Sequence, residues 1–517
     1  MTTIGPYSST GVGRPSLART LSETRSQLDD LLTQLATQKK SSTYAGLGAG
    51  RTTSLAMRAR LEAIESYDSV GKTVSTRIKM MSTALTAISN LGSEYKTVDP
   101  NDFQLTSGGV SIQQAQARID LQEAISYLNT EIDGRYLFSG RSTDVKPVLT
   151  ADKILADDGD KAGLRTVIDE RRLADLGADG RGRIDVSELA GGAFTVSEEA
   201  SGPFGLKIAS LSSTMTGATA TGPEGDPAAI TLGVSGAPND GEQIRIGLTL
   251  PDGTSTEITL TARVDPSATL RGGDFRVGAT PEETAANMRA AFDAALMKTA
   301  DTALVAASAM QAGEEFFNTP AGAEPARVAG YDGAFVSDAE RIAALQNATG
   351  LTTTGTAART VDWYQGEDAG DDPRRTATAT VADGVTVGYG ARANEDGTRR
   401  LVQTLAVFSS MTFSSSDANA QARYSALASR TATTLGSTEA TADVKTIAAG
   451  LAGANSAIKA ASERHTAAKA IAEDAISGVE AVDQEEVSLK ILSLQTSLQA
   501  SYQVTSTLRQ LSLVNFL

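Results

Sequence analysis

The last stretch of the chain limits its fold most. From Glu485 to Leu517 it reads EEVSLKILSLQTSLQASYQVTSTLRQLSLVNFL, with no proline and no glycine. As a helix rising ~1.5 Å per residue this segment would be roughly 50 Å long, about the width of a small domain. Val487, Ile491, Leu494, Leu498 and Tyr502 recur at steps of three or four and draw an apolar stripe down one face; Leu508 and Leu511 lie further along the same helix. A long helix with such a stripe gains most of its stability from a packing partner.

A matching pattern lies at the other end of the chain. Leu17, Leu21, Thr24, Leu28, Leu31 and Leu35 alternate steps of four and three, a heptad seam with one polar interruption. Tyr67, Gly71, Val74, Ile78, Met81, Leu85 and Ile88 repeat it in a second helix. The spacing predicts that the chain folds back and pairs its ends in one coiled-coil bundle. It fits equally an ordinary helical bundle that holds both ends in its core.

Between the ends the period changes. Met1 to Arg14 is rich in Gly, Ser and Thr; a first helix is expected from Pro15 to about Gln38, and a second from about Thr52 to Tyr95. A third is expected from about Val110 to Asp133, with Leu121, Ile125, Leu128 and Ile132 on one face and Gly134 as its stop. Ile244 to Leu250 and Ile258 to Val264 alternate apolar and polar residues around Asp252-Gly253, which predicts a hairpin. A second hairpin is expected about Asp383-Gly384, and a helix over Pro281 to Ala307 with Glu282 and Glu283 in its first turn. Helix returns near Thr398, with breaks around Ser414 and Gly436. The expected fold class is therefore α+β. Residues 1–144 and 398–517 are helical assembly domains, and residues 145–397 form a β-rich, surface-exposed α+β insertion.

Composition narrows the chemistry. The formal net charge of −16 lacks the basic footprint of a nucleic-acid binder, and the absence of cysteine removes disulfides, thiolate metal sites and thiol nucleophiles. His465 is the one histidine, so imidazole clusters are excluded; within an Ala-rich helix it reads as a packing or surface residue. No apolar run is long enough to span a bilayer, and the N-terminus lacks the features of a cleaved secretory signal.

The sequence points to no metal, cofactor or catalytic constellation. Asp175 to Gly180 opens like a calcium loop, but Gly177 stands at the third position and Val186 where the closing Glu belongs. The acidic run from Glu367 to Asp372 reads as a solvated loop beside Arg374 and Arg375. Trp363-Tyr364 reads as a core anchor of the insertion. Gly46, Gly48 and Gly50 follow a helix and not a strand, the wrong context for a dinucleotide fingerprint, and read as a hinge or a close-packing loop.

Four strings carry a resemblance: DGRYLFSG from Asp133 to Gly140, VEAVD from Val479 to Asp483, LQAS from Leu498 to Ser501 and LSLVNFL from Leu511 to Leu517. With them the ends of the chain resemble the bacterial flagellin family, and within it the hook-filament junction (hook-associated) type. The insertion resembles the variable outer domains of alphaproteobacterial flagellins. Ser41 to Arg60 departs from the Arg-Ile-Asn stretch usual after the first helix of filament flagellins.

The resemblance implies a non-enzymatic, self-assembling structural subunit. It implies export through the flagellar type III channel without a cleaved signal, and an extracellular place in the flagellum. Its partners would be other copies, hook-associated proteins, flagellin and an export chaperone, with neither nucleic acid nor membrane insertion involved. Bulk filament flagellin is the alternative within the family. An adhesin or enzyme with its site in the insertion is the alternative outside it.

Overall fold

The structure is a computed structural model and describes residues 13–106, 108–199, 202–320, 322–370 and 372–514. In chain order the helices are α1 Gly13–Thr37, α2 Arg51–Glu94, α3 Ile112–Leu128, α4 Ala151–Leu155, α5 Leu164–Leu176, α6 Pro281–Thr299, α7 Val305–Phe317, α8 Asp338–Gln346, α9 Asp396–Ser410, α10 Ala420–Gly436, α11 Thr438–Glu480 and α12 Gln484–Val514. Short strands between α3 and α9 make the fold α+β. Two compact units result, one within Met1–Thr73, Thr380–Thr386 and Ala457–Leu517, the other from Val74–Ala379 and Val387–Ser456. The division falls inside α2 and α11.

In the larger unit two four-stranded sheets and α6 share one core. The first sheet runs Ile184–Val186, Ala193–Glu198, Ala229–Val234, Ala218–Glu224, all antiparallel. The second runs Asp274–Arg276, Ser255–Arg263, Gln243–Thr249, Lys207–Ser213, with only its first pair parallel. Its central pair is the expected hairpin about Asp252-Gly253, with Ile244 opposite Leu260 and Ile246 opposite Ile258. One residue of slip would turn this whole apolar set outward.

The same unit begins α6 where its sequence supplies caps: Thr280 Oγ1 accepts from Glu283 N at 3.2 Å and Pro281 opens the first turn. Met288, Phe292 and Leu296 then enter the sheet core. A wider turn over Ala300–Leu304 leads into α7, so helix extends past the expected Ala307 to Phe317. The hairpin about Asp383-Gly384 also forms, from Thr378–Ala382 and Val385–Gly388.

One expectation is corrected. The third helix stops at Leu128 instead of Asp133, and Ile132 lies on a short strand, not on the helix face with Leu121, Ile125 and Leu128. Asp133 and Gly134 take φ of 53° and 72°, a tight reversal that pairs Glu131 with Tyr136. The helix start follows sequence closely. Ser111 and Gln114 form a capping box, with Gln114 N donating to Ser111 Oγ at 3.1 Å and Ser111 N to Gln114 Oε1 at 2.8 Å.

Charge is also buried in the larger unit. Arg171 donates to Asp175 at 3.0 Å, to the Pro203 carbonyl at 2.7 Å and to Glu315. Burial pushes the Asp175 and Glu315 carboxyls upward even though Arg171 pulls them down. Asp175 is thus a buried ion-pair partner and not a loop ligand. Trp363 and Tyr364 are buried as expected, and Trp363 Nε1 donates to the Phe317 carbonyl at 3.1 Å.

Arg171→Ala leaves two buried carboxyls without their cation, so unfolding of the full chain in urea at pH 7 should show a loss of about 3–5 kcal/mol. Because the folded-state values are already raised, the folded state takes up protons more readily than the unfolded chain. The deficit should therefore shrink as pH falls towards 5. A deficit that is small, or independent of pH, would contradict this account of the cluster.

Candidate assembly interface

The smaller unit brings the two terminal patterns together, with α1 lying along α12. Helix α12 starts where Asp483 Oδ1 accepts from Glu485 N at 3.0 Å and Glu486 N at 3.2 Å. The carboxylate at a helix N-terminus is favourable there, as are Glu485 and Glu486 in the first turn. Along α12 the side chains of Val487, Ile491 and Leu498 are buried and Leu494 is half-buried. On α1 the residues Leu21, Thr24, Leu28, Leu31 and Leu35 are half-buried at the expected period.

Tyr502 is exposed, with the Arg25 guanidinium 5.6 Å from its ring centroid, a cation over an aromatic face. The side chains of Leu17, Leu508 and Leu511 lie outside the described residues. Val74, Ile78, Met81, Leu85 and Ile88 are all buried, but in the larger unit, where Ser75 Oγ donates to Asn455 at 2.9 Å and Ile88 lies beside Leu401 and Leu435.

Sequence reading missed the corner that ties these helices. The turn after α1 and the turn after α11 form a two-stranded bridge, Lys39 opposite Ala481. Lys40 N donates to the Glu480 carbonyl at 2.7 Å and Val482 N to the Gln38 carbonyl at 3.2 Å, with Gln38 at φ 56°. Arg58 then grips Glu480, with Nε donating to Oε1 at 3.1 Å and Nη2 to Oε2 at 2.7 Å, while Ser54 Oγ donates to the same carboxylate at 2.5 Å. These hydrogen bonds hold the Glu480 carboxyl below its ordinary value.

Gly50 fits here because a Cβ would come within 2.5 Å of Val479 Cγ1, which makes the glycine segment a close-packing loop. The VEAVD string is the other half of the corner, and that was its available signal. His465 is buried, its Nδ1 2.8 Å from Asp68 and its ring stacked 5.9 Å from Tyr67, a packing role.

Much apolar surface remains uncovered. Ile471, Leu489 and Leu492 keep 60 to 68% of their surface exposed, and Leu32, Leu55, Val70 and Val504 are exposed in the same unit. The larger unit, more than twice as long, exposes no more large hydrophobic residues among those described. Apolar surface left open in this way is available to a packing partner.

Residues 436–517, which contain α11, the corner string and α12, match the model of the bacterial flagellin C-terminal helical region. This stretch is similar to a flagellin C-terminal region. That match supports the bacterial flagellin family and a structural flagellar subunit. Comparison with curated proteins and with solved structures finds no match. Among the described residues no helix of this flagellin-like chain is long and apolar enough to cross a membrane.

The corner should be sensitive to acid. Glu480 has a depressed folded-state value, so its contribution is fully present above the ordinary value near 4.5 and is lost as pH falls below it. Arg58 is partly exposed, which limits the effect to about 1 kcal/mol. Glu480→Gln should lower stability by that amount at pH 7 and by almost nothing near pH 3. An equal loss at both pH values would refute the ionic role.

Proposed function

We propose that the chain is a structural subunit of the bacterial flagellum, seated at the hook-filament junction and assembling through its terminal helices. The observation that carries the subunit reading is the half-covered α1 and α12 pair, lying partly within a flagellin C-terminal region. Val487, Ile491, Leu494 and Leu498 form the inner seam with Leu21, Leu28 and Leu35. Neighbouring copies cover Leu489, Leu492 and Ile471.

The junction position rests on the resemblance of Gly134 to Gly140 and Leu511 to Leu517 to that type. Its neighbours are then hook-associated proteins on one side and flagellin on the other, with an export chaperone holding the chain before secretion. The subunit lies outside the cell and has no catalytic role. Contacts to two different neighbours stop growth, whereas a filament subunit repeats one heterologous contact indefinitely.

Two experiments test the reading. Leu498→Asp places an unpaired charge in the seam at a cost of several kcal/mol and should abolish assembly in sedimentation assays, while circular dichroism retains the β signal of the larger unit. Normal assembly of the variant would sink the role of α12. Loss of the protein should leave hooks without filaments, and labelled antibody should mark a narrow band beyond the hook. Label along whole filaments would assign it to the bulk filament instead.

A further inference from the structure

A cleft of about 970 Å³ opens in the larger unit, walled by α5, α8 and the loop that leads to Trp363. Its wall is built on a buried pair: Arg327 donates to Glu170 at 2.5 and 3.1 Å and lies 3.7 Å from the Tyr331 ring centroid. Arg327 also donates to the Arg359 carbonyl at 2.8 Å, and Ala162 N donates to that same oxygen at 2.8 Å. The loop carrying Arg359 is therefore held in place from two sides.

Most charges around the cleft are already partnered. Besides the Glu170 pair, Arg172 holds Asp169 at 2.7 Å and Arg423 holds Asp301 at 2.6 Å. Asp157 accepts from Gly163 N at 2.8 Å and Thr166 Oγ1 at 2.7 Å. Among the described residues, the side chains of Lys161, Arg165, Arg341 and Arg359 have no hydrogen-bond or ion-pair partner, and neither do Asp160 and Asp332. Burial, with Arg118 adding its like charge and Asp152 opposing both, pulls the Arg165 guanidinium below its ordinary value.

The free groups define a ligand chemistry. Guanidinium forks match carboxylates by paired N–H donors, whereas free aspartates accept only and call for hydroxyl donors. A polyphosphate or nucleic acid offers a dense row of negative charge and few donors, so it leaves Asp160 and Asp332 without partners. A carboxylated sugar offers both partners, and a cleft of this size holds several sugar units.

We propose that this cleft binds an acidic oligosaccharide, with carboxylates on Arg165, Arg341 and Arg359 and hydroxyls on Asp160 and Asp332. Calorimetric titration of the full chain with tetragalacturonate should show binding that weakens as salt rises, at least about tenfold tighter than maltotetraose. The double variant Arg341→Ala, Arg359→Ala should weaken tetragalacturonate binding about tenfold or more at unchanged circular dichroism, with Arg359→Lys intermediate because it keeps the charge and loses the fork. The salt dependence and the maltotetraose comparison use the unaltered chain and decide the matter even if the double variant misfolds. No binding, equal affinity for the two tetrasaccharides, or an unaffected folded double variant would overturn the assignment. Inorganic phosphate binding as tightly as tetragalacturonate would also overturn it.

Discussion

The smaller unit depends on one unmet need, the burial of α12. Each of Val487, Ile491 and Leu498 contributes about 1.5–3 kcal/mol when taken fully out of water. Within one chain the matching seam on α1 is only half-buried, and Leu489, Leu492 and Ile471 face solvent. A helix gains little stability from propensity alone, and in the function proposed here packing by further copies would supply what the single chain lacks. This imbalance links the sequence pattern to assembly.

The corner gives that seam its register. The bridge of Lys39 with Ala481 and the grip of Arg58 on Glu480 join the turns at one end of α1 and α12, so the two helices leave the corner side by side. Two different uses of charge follow. At the corner the ion pair is partly open to water and gives direction more than stability. In the larger unit Arg171 and Arg327 sit deep with their carboxylates, where loss of either partner is costly. That unit has a core of its own, including the apolar set about Ile246 and Phe292, and does not draw on the seam for it.

Periodic features were legible in the sequence because their causes are local. The long helices, the Asp252-Gly253 hairpin and the cap of α6 all follow from residues within a few positions of one another. The third helix shows where this fails: an apolar residue at the right spacing, Ile132, did not extend it, because the Asp133-Gly134 turn closes a hairpin first. Spacing also identified Val74 to Ile88 as a buried face but carried no information on its neighbours, among them Leu401, Leu435 and Asn455, which lie with it in the larger unit. The corner joins residues more than 400 positions apart, as Ser54 and Glu480 are, and no local pattern announces such a pair. The arginines of the cleft are likewise brought together only by the fold.

The most direct test of the central claim is amide hydrogen exchange on the same preparation before and after assembly. The account predicts that amides of 13–37 and 484–514 exchange quickly in the monomer and become strongly protected in the assembled state, while the strands about Ile246 and Leu260 are protected equally in both. Terminal amides already protected in the monomer, or still exchanging freely after assembly, would contradict it.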